Sequence, residues 1–407
     1  MSERAMVIVG AGQGGLQLAE SLRTEGWSGP IRLFGDEPVA PYQRPPLSKA
    51  ALSGDFGVDR LIIRGPDFFP KKGIELATAT RVVAIDRTAG EVVLDGGERV
   101  AYAGLGLATG ARARRLALPG ADLDGILVLR SLADAEVLKA RFATARAVAV
   151  VGGGFIGLEV AASARKAGLA ATVIEAVPRL MARAVSETVS TWYADLHARH
   201  GVRVLCSTGV EGFLGTDGRV TGVATSAGPI DADLVVVGVG VVPDDELARA
   251  CGLACDRGVI VDDCSRTSDP AIVAVGDCTA RRLPDGSLRR LESVQNAVEQ
   301  AKSGAAWLMG RESPFTATPW FWSDQYDVKL QMVGLSAGHD LSLVRGSLDE
   351  GRFSVFYWRD GRFIAVDSVD RPQDHMAAKK LLDRGAALTP EQIADPAFDL
   401  AAVARAA

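Results

Sequence analysis

The sequence predicts an α/β protein with two Rossmann-like domains and a C-terminal α+β module. Three features of the 407-residue chain lead to this prediction. Two glycine-rich segments each follow a short apolar run and precede an Ala/Leu-rich segment with helical spacing. Strand and helix patterns alternate around both segments, which is typical of parallel sheets. From residue 320 onward, strand-like runs separated by Asp-Gly turns precede one helix pattern, which is typical of an antiparallel α+β module.

The first glycine-rich segment is Gly10-x-Gly12-x-x-Gly15, between a strand pattern and a helix pattern. In that context this spacing is the fingerprint of a turn that binds the pyrophosphate of a dinucleotide. The first glycine permits the turn, the second lets the phosphates approach, and the third lets the helix pack on the strand. An acid at the end of the next strand binds ribose hydroxyls, and Asp36 or Glu37 holds that position.

The second segment, Gly152-x-Gly154-x-x-Gly157, repeats the arrangement, and Glu175 ends the strand pattern that follows. A carboxylate accepts the free 2′-hydroxyl of NADH but repels the 2′-phosphate of NADPH, so we predict NADH. Arg179 follows closely, as does Arg183, and either cation could weaken this preference. Two dinucleotides in one chain indicate electron transfer between them, and a flavin reduced by a nicotinamide is the expected pair.

The strand and turn patterns divide the chain into three predicted domains. An FAD-binding domain comprises residues 1–112 and 242–318, an NAD-binding domain residues 113–241, and the α+β domain residues 319–407. Residues 105–110 and 234–240 each form an apolar strand pattern that ends in a glycine turn, which suggests one fold used twice. We predict small antiparallel insertions at residues 81–85, 92–94 and 220–223. In the C-terminal module we predict strands at residues 341–344, 353–358 and 363–366 and a helix over residues 373–383.

Composition excludes several classes of protein. A formal net charge of −5 argues against a generally basic nucleic-acid-binding protein. The longest apolar run, residues 234–242, is far too short to cross a membrane, and we expect a cytoplasmic protein. The five cysteines form no C-x-x-C motif and are interpreted as unpaired structural thiols. His197 and His200 are interpreted as a pair on a surface helix, and no metal site is predicted.

Several longer motifs are more specific than the glycine spacing. They are Tyr-Gln-Arg-Pro-Pro-Leu-Ser-Lys at 42–49, Gly-Gly-Gly-Phe-Ile-Gly-Leu-Glu at 152–159, Thr-Ser-Asp-Pro at 267–270 with Val-Gly-Asp at 275–277, Glu-Ser-Val-Gln-Asn-Ala at 292–297, and Pro-Trp-Phe-Trp-Ser-Asp-Gln at 319–325. In these motifs, and over essentially its whole length, the chain resembles the oxygenase-coupled ferredoxin reductases. These are FAD-containing, NADH-dependent enzymes with a glutathione-reductase-like fold. The resemblance implies hydride transfer from NADH to FAD, then single-electron transfer to a 2Fe–2S ferredoxin that serves a cytochrome P-450 or a ring-hydroxylating dioxygenase.

The resemblance also implies roles for individual residues around the flavin. Lys49 is expected near flavin N5, with Glu159 beside it and the nicotinamide, and Trp320 or Trp322 is expected to line the exposed side of the ring. Asp36 is expected at the adenosine ribose. Gly12, Gly14 and Gly15 are expected at the FAD pyrophosphate, Val82 at the adenine end, Arg130 at the flavin, Asp277 at the ribityl chain or pyrophosphate, and Val294 at the pyrimidine edge of the isoalloxazine.

The complete predicted sets follow from these roles and from the two fingerprints. The predicted catalytic residues are Lys49, Glu159, Trp320 and Trp322. The predicted cofactor-binding residues are Gly10, Gly12, Gly14, Gly15, Asp36, Glu37, Arg44, Lys49, Val82, Ala108, Thr109, Gly110, Arg130, Gly152, Gly154, Phe155, Ile156, Gly157, Glu159, Glu175, Gly240, Asp277, Glu292, Val294 and Trp322.

The chemistry of these residue types agrees with the implied roles. A lysine ammonium at N5 stabilises the charge that a flavin gains on reduction, and a neighbouring carboxylate compensates that ammonium before reduction. Pro45 and Pro46 suit the start of a helix that would fix the backbone of Lys49. Disulfide-reducing relatives carry a C-x4-C pair where residues 44–49 stand here, and a C-terminal His-Glu base. This chain has neither, so its electrons are expected to pass directly to an outside acceptor.

The expected partner is a ferredoxin, usually an acidic protein, which predicts a basic docking patch. Arg64, Lys302 and Lys329 are the first candidates for it. Further candidates are Arg281, Arg282, Arg289, Arg290 and Arg311. Two alternative functions stay open: a reductase of another acceptor such as rubredoxin or ascorbyl radical, and an NADH-sensing flavoprotein similar to apoptosis-inducing factor. The sequence leaves open whether the protein is a monomer or a homodimer.

Overall fold

The computed structural model describes residues 4–54 and 57–406. The strands of this part of the chain are β1 Ala5–Val9, β2 Ile31–Phe34, β3 Ile74–Ala77, β4 Val82–Asp86, β5 Glu91–Leu94, β6 Arg99–Leu107, β7 Ala111–Ala113, β8 Ile126–Leu127, β9 Ala147–Val151, β10 Ala170–Ile174, β11 Val202–Leu205, β12 Val210–Thr216, β13 Arg219–Thr225, β14 Gly228–Asp231, β15 Leu234–Val237, β16 Val241–Pro243, β17 Val259–Val261, β18 Ile272–Ala274, β19 Thr279–Arg282, β20 Leu288–Arg289, β21 Trp320–Gln325, β22 Val328–Gly334, β23 Leu341–Ser347, β24 Arg352–Arg359 and β25 Arg362–Val369.

The α-helices are α1 Gln13–Thr24, α2 Ala50–Ser53, α3 Phe68–Lys71, α4 Leu132–Phe142, α5 Phe155–Lys166, α6 Glu187–Arg199, α7 Glu246–Ala250, α8 Val294–Leu308, α9 Pro372–Asp383, α10 Pro390–Ala394 and α11 Leu400–Ala406. Short 3₁₀ turns occupy Pro45–Ser48, Val58–Arg60 and Gly276–Cys278. Within the described residues, no helix is both long enough and apolar enough to cross a membrane.

The contacts divide the chain into two compact units. The first contains the chain up to Gln43, together with Val58–Arg112 and Val241–Ala317. The second contains Arg44–Gly57, Ala113–Gly240 and the chain from Thr318 onward. The segment that begins at Arg44 thus packs with the second unit, although first-unit segments flank it in sequence. The division into three domains by function stays a prediction.

The first unit is built on a sheet with a parallel core. The strand order is β3-β2-β1-β6-β5-β4, with β18 also paired to β6. Strands β1, β2, β3, β6 and β18 are mutually parallel neighbours, whereas β4, β5 and β6 form an antiparallel meander. Because β1 lies between β2 and β6, the chain changes direction across the sheet at the carboxyl end of β1, where ligands bind in such folds.

The second unit contains a matching parallel sheet of order β11-β10-β9-β15-β8. Here β9 is the strand at which the order reverses, and the loop after it enters α5. A three-stranded antiparallel sheet, β12-β13-β14, is inserted before β15. The predicted antiparallel insertions near residues 82–94 and 220–223 are therefore confirmed.

An antiparallel sheet covered by helices forms the C-terminal part of the second unit. Its strand order is β21-β22-β25-β24-β23, and α9, α10 and α11 follow it in the chain. The indole of Trp358 is fully buried, and its Nε1 donates to the carbonyl of Leu388 over 2.7 Å. Phe356 and Leu381 belong to the same apolar cluster as Trp358. The predicted fold class, two Rossmann-like folds followed by an α+β module, is confirmed.

The expectation that His197 lies at the surface is wrong. His197 lies on α6 as expected, but its side chain has no exposed surface. The ring is covered by the turn after β21, where Gln325 and Tyr326 hydrogen-bond to its two nitrogens. Helical spacing placed it correctly one turn before His200, but could not show what a strand 128 residues away would cover.

Candidate functional site

The first glycine loop has a distinct spatial reason for each glycine. Gly10 has φ +107°, and a Cβ there would lie 2.2 Å from the carbonyl oxygen of Ala108. A Cβ on Gly15 would lie 1.9 Å from the carbonyl oxygen of Gly10. Gly12, the residue that caps the N-terminus of α1, has open space at its Cβ position. Gly14 packs against Val275, whose Cγ2 would be 3.2 Å from an added Cβ.

The second glycine loop repeats this pattern in the other unit. Gly152 has φ +108° and would place a Cβ 2.5 Å from the carbonyl oxygen of Gly238. Gly157 would place one 2.1 Å from the carbonyl oxygen of Gly152. The space at Gly154, which caps α5, is open.

These two loops fit the pyrophosphate groups of two dinucleotides. In each loop the first and third glycines close the turn, while the middle one leaves room at a helix N-terminus. Backbone N–H groups and the positive end of the helix dipole stabilise phosphate charge at such a position. A side chain at either Gly12 or Gly154 would meet no protein atom within 4 Å and would extend into the open space at the helix N-terminus.

The acidic residues expected at the riboses have different surroundings. Asp36 is exposed, whereas Glu37 accepts a hydrogen bond of 2.6 Å from the Tyr42 hydroxyl. In the second unit, Glu175 is oriented by backbone donors. Its Oε2 accepts from the N–H of Gly153 over 2.7 Å, and its Oε1 from the N–H of Val177 over 3.0 Å. The carboxylate of Glu175 is thereby held directly beside the second glycine loop.

The two arginines after Glu175 also differ. Arg179 donates to the carbonyls of Val185 and Ala182 over 2.7 Å each, so its guanidinium is engaged with the backbone. Arg183 is exposed, and its Nη2 lies 3.7 Å from where a Cβ on Gly240 would stand. Of the two cations, Arg183 is therefore the one placed to meet a ligand near Gly240.

The segment that carries Lys49 is a 3₁₀ turn instead of the first turn of an α-helix. Pro45 and Pro46 begin the turn, and the N–H of Lys49 donates to the carbonyl of Pro46 over 3.1 Å. The ammonium of Lys49 folds back to donate to the carbonyl of Pro45 over 3.0 Å. The carbonyl of Ser48 accepts from the Ser163 hydroxyl over 2.8 Å, which ties the turn to α5.

The centre of the site is the ion pair between Lys49 and Glu159. Lys49 Nζ lies 2.9 Å from Glu159 Oε2, and the same oxygen accepts from the Ser48 hydroxyl over 2.5 Å. Glu159 Oε1 accepts from the Ser323 hydroxyl over 2.6 Å. Glu159 is only 4% exposed, so these donors replace the water that a carboxylate would otherwise bind. The predicted proximity of Lys49 and Glu159 is observed, and their catalytic roles stay predictions.

Three aromatic side chains lie on or near the strand that brings Ser323 to the pair. The rings of Trp320 and Trp322 stack with centroids 5.4 Å apart and planes 29° apart, as expected for one face of a strand. Phe321 points the other way, and its ring lies 5.0 Å from that of Phe155 at the start of α5. Both tryptophans are partly exposed, which leaves part of each ring available to a ligand.

The remaining predicted residues are distributed over both units. Thr109 is fixed by Asp244, whose carbonyl accepts from its hydroxyl over 2.5 Å. Arg130 accepts at its carbonyl from Arg44 Nη1 over 2.8 Å. The others lie at these positions: Val82 buried in β4, Ala108 and Gly110 beyond β6, Asp277 in the 3₁₀ turn Gly276–Cys278, Glu292 in an ion pair with Arg290, Val294 at the start of α8, Ile156 exposed in α5, and Gly240 at φ +94°.

The structure supports no thiol chemistry. All five cysteines are free. Burial raises the pKa of every thiol above its usual value, so none is a ready thiolate at neutral pH. None of the described residues forms a cluster of three metal-binding side chains.

The three first candidates for the docking patch each lie beside a carboxylate. Arg64 Nε is 2.7 Å from Glu20, Lys302 Nζ is 2.7 Å from Glu299, and Lys329 Nζ is 3.9 Å from Asp324. Their side chains are about half exposed, between 44% and 57%. The positive potential at each is thus smaller than the sequence alone suggested.

Sequence reasoning missed two groups of residues at this site. Ser48 and Ser323 supply hydroxyl donors to Glu159, yet they lie 111 and 164 residues from it. Beyond Ser323, a buried series continues through Gln325 to His197. Ser48 and Ser323 do stand in the quoted motifs at 42–49 and 319–325, which was the one available signal.

Comparison with known proteins places this architecture in a family. Residues 4–301 match the sequence model described as pyridine nucleotide-disulphide oxidoreductase, and residues 320–404 match the one described as reductase C-terminal. The chain belongs to the pyridine nucleotide-disulphide oxidoreductase family. Its resemblance to the oxygenase-coupled ferredoxin reductases is confirmed.

Individual relatives are similar over nearly the full length of both chains. Rhodocoxin reductase from Rhodococcus erythropolis is 50% identical over 97% of this chain and 93% of its own. The crystal structure of the ferredoxin reductase for the CYP199A2 system from Rhodopseudomonas palustris superposes with a TM-score of 0.96 at 45% identity, covering 99% and 100% of the two chains. The reductase in the covalent putidaredoxin reductase–putidaredoxin complex gives a TM-score of 0.95 at 40% identity over both full chains.

The open space at Gly154 and the crowded space at Gly157 generate a prediction about these two positions. Gly154→Ala should leave the melting temperature nearly unchanged, because its Cβ meets nothing within 4 Å, but raise the KM for NADH at least about tenfold by filling the phosphate space. Gly157→Ala is the matched control, since its Cβ would clash with the carbonyl of Gly152 and should lower the melting temperature. Thermal unfolding and steady-state kinetics measure both. Equal KM values for Gly154→Ala and the unaltered protein would contradict the assignment.

Proposed function

We propose that this protein is an NADH-dependent ferredoxin reductase that supplies electrons to an oxygenase, either a cytochrome P-450 or a ring-hydroxylating dioxygenase. It is an FAD-containing oxidoreductase that also binds NAD(H), as its family and its two glycine loops require. The single observation that carries the proposal is the buried Lys49–Glu159 pair next to a tryptophan-lined strand, in a chain without a redox cysteine pair. When bound, FAD accepts hydride from NADH and passes the electrons on one at a time.

The residues of the chain supply position and charge for this chemistry. We propose that the loop with Gly10 and Gly12 holds the FAD pyrophosphate, and that the loop with Gly152 and Gly154 holds that of NADH. Lys49 places its ammonium where the flavin gains negative charge, and Glu159 balances that ammonium while the flavin is oxidised. No side chain has to donate or abstract a proton from a substrate carbon, so orientation of the two rings is the main contribution of the protein.

The choice of NADH is proposed from Glu175. Its carboxylate is fixed by two backbone N–H groups beside the glycine loop, so it presents a negative charge to the ribose site. A 2′-phosphate would meet that charge at short range, whereas a 2′-hydroxyl can donate to it. Arg179 keeps its charge, but both of its terminal nitrogens donate to backbone carbonyls, so the exposed Arg183 is the cation that would compete with this preference.

We propose that the ferredoxin contacts exposed cations of this chain, with Arg64, Lys302 and Lys329 as the first candidates. Support comes from their exposure and positive charge. Because each cation has a neighbouring carboxylate, docking should depend on charge less strongly than three isolated cations would make it. We propose that the ferredoxin is of the 2Fe–2S type, since a one-electron acceptor suits a flavin without a disulfide partner.

Two other functions share the fold. A reductase of rubredoxin or of ascorbyl radical would use the same cofactors with a different surface. An NADH-sensing flavoprotein would be reduced by NADH and then reoxidised slowly. Turnover with a ferredoxin separates the proposed function from both alternatives.

The purified protein should reduce cytochrome c with NADH much faster when a 2Fe–2S ferredoxin is added. An increase of at least about tenfold is expected, because the flavin has no thiol relay and delivers electrons to the ferredoxin directly. The ferredoxin-dependent rate should fall as salt is raised from low to physiological ionic strength, since charge assists docking. If NADH bleaches the flavin but none of several ferredoxins increases the rate, the cofactor assignment stands. The assignment of a ferredoxin as the electron acceptor would then be refuted.

Glu175→Ala should change the preference between the two coenzymes. Removal of the carboxylate is expected to lower the KM for NADPH relative to that for NADH by at least about tenfold, which corresponds to about 1.4 kcal/mol. Steady-state kinetics with both coenzymes measure the ratio, and Asp36→Ala serves as a control on the other ribose site. If the ratio is the same in Glu175→Ala and the unaltered protein, the nicotinamide ribose is bound elsewhere.

A further inference from the structure

A series of hydrogen bonds leads from the Glu159 carboxylate to the turn that joins β21 and β22. The Ser323 hydroxyl donates to Glu159 Oε1 over 2.6 Å, and Gln325 Nε2 donates to Ser323 Oγ over 3.1 Å. Gln325 Oε1 lies 2.8 Å from His197 Nε2, and the Tyr326 hydroxyl lies 3.1 Å from His197 Nδ1. The series therefore joins α5, β21 and α6 within the second unit.

The direction of each bond follows from the carboxylate outward. An ionised carboxylate only accepts, so the Ser323 hydroxyl must donate to it. The serine oxygen then accepts from the amide nitrogen of Gln325, which turns the amide oxygen toward His197. His197 must carry its proton on Nε2, and its Nδ1 accepts from the Tyr326 hydroxyl. All four groups thus donate toward Glu159.

The protonation states agree with this direction. Burial lowers the pKa of His197 to about 4, so at neutral pH the ring is uncharged and has one N–H. Burial raises the pKa of Tyr326, whose hydroxyl therefore keeps its proton. Because one nitrogen of the neutral ring faces a donor and the other faces an acceptor, these two partners fix which nitrogen carries the proton.

Tyr326, at the outer end of the series, is held in an unfavourable backbone conformation. Tyr326 has φ +59°, a left-handed conformation that bulky residues rarely adopt. Its ring stacks on His200 with centroids 3.7 Å apart and planes 15° apart, in addition to the bond with His197. Strained residues persist where several contacts fix them, which is often near a functional site.

The series is not suited to move protons. Gln325 stands in its middle, and an amide group does not take up and release protons near neutral pH. A row of donors with one direction has a different effect, because each bond polarises the next and strengthens it. The last bond of such a row draws the negative charge of Glu159 toward Oε1, away from the Oε2 atom that Lys49 and Ser48 bind.

We propose that Ser323, Gln325, His197 and Tyr326 act in series as positioning residues for Glu159, spreading its negative charge away from Lys49 and raising the midpoint potential of the flavin. The inference rests on the proposed function, since it requires a flavin beside Lys49. It extends the network around Lys49 and Glu159 to residues of α6 and of the turn after β21.

Gln325→Leu tests the inference, because leucine has a similar size and can make neither hydrogen bond. The negative charge of Glu159 should become more concentrated beside the flavin and disfavour its reduction. We expect a tenfold shift of the equilibrium toward the oxidised flavin, or about 30 mV for a two-electron couple. A redox titration of the FAD-loaded protein with a chemical reductant and indicator dyes measures this shift.

Tyr326→Phe is a second, milder variant at a half-buried position, and it keeps the ring that stacks on His200. It should shift the potential in the same direction by a smaller amount. Ser354→Ala is the matched control, since it removes a fully buried hydroxyl of the same sheet that bonds to Ser368 and Asp374 instead of Glu159. Its potential should equal that of the unaltered protein.

The background variant Glu159→Gln separates positioning from general destabilisation. Adding Gln325→Leu to it should change the potential no further, because no carboxylate charge remains to be spread. The inference is overturned if Gln325→Leu and Tyr326→Phe leave the potential unchanged or raise it, or if the shift persists in the Glu159→Gln background.

Failure of the inference and failure of the proposed function give different results. The titration uses neither NADH nor a ferredoxin, so it remains informative if no ferredoxin is reduced and the proposed acceptor is wrong. Conversely, normal ferredoxin reduction with unshifted potentials in both variants would refute the inference alone.

Discussion

The ion pair between Lys49 and Glu159 is the constraint on which the rest of the site depends. A carboxylate that is only 4% exposed loses most of its hydration, and this cost is large unless charge and hydrogen bonds replace the water. The ammonium and two serine hydroxyls make that replacement. These donors come from two segments of the second unit, the turn that carries Ser48 and Lys49 and the strand β21, and they meet a carboxylate carried by a third segment, α5. Removing one partner alone would leave an uncompensated buried charge, which typically costs about 3–5 kcal/mol.

The position of that carboxylate follows from the second glycine loop. The loop ends at Gly154, which caps α5, and Glu159 lies five residues further along the helix. With a rise of 1.5 Å per residue, its backbone stands about 7.5 Å along the axis from the phosphate-binding end. Gly157 brings this helix against the carbonyl of Gly152. In the function proposed above, the same backbone geometry that would bind the pyrophosphate of NADH also sets its distance to the Lys49–Glu159 pair.

The features that the sequence predicted are local, and those that it missed depend on distant contacts. The glycine loops, β1, β9 and the helices after them follow from apolar runs and spacing within about 25 residues. The partners of Glu159 could not be found in that way, because a serine has no periodic signature and Ser323 is 164 residues away. His197 was expected at the surface for the same reason, since helix spacing cannot show which face a later strand covers. The docking cations were identified by charge alone, and the carboxylate beside Arg64 belongs to Glu20, which is 44 residues away in the sequence.

The most direct test is the rate at which NADH reduces the flavin in Lys49→Met. Stopped-flow absorbance under single-turnover conditions measures this rate. Glu159→Gln should be combined with Lys49→Met, so that no unpaired charge is buried and the melting temperature stays close to that of the unaltered protein. The account predicts that FAD remains bound and that the rate of reduction falls at least about tenfold, since the flavin loses the nearby cation that stabilises its added charge. An unchanged rate in the double variant would contradict the central role given to the Lys49–Glu159 pair.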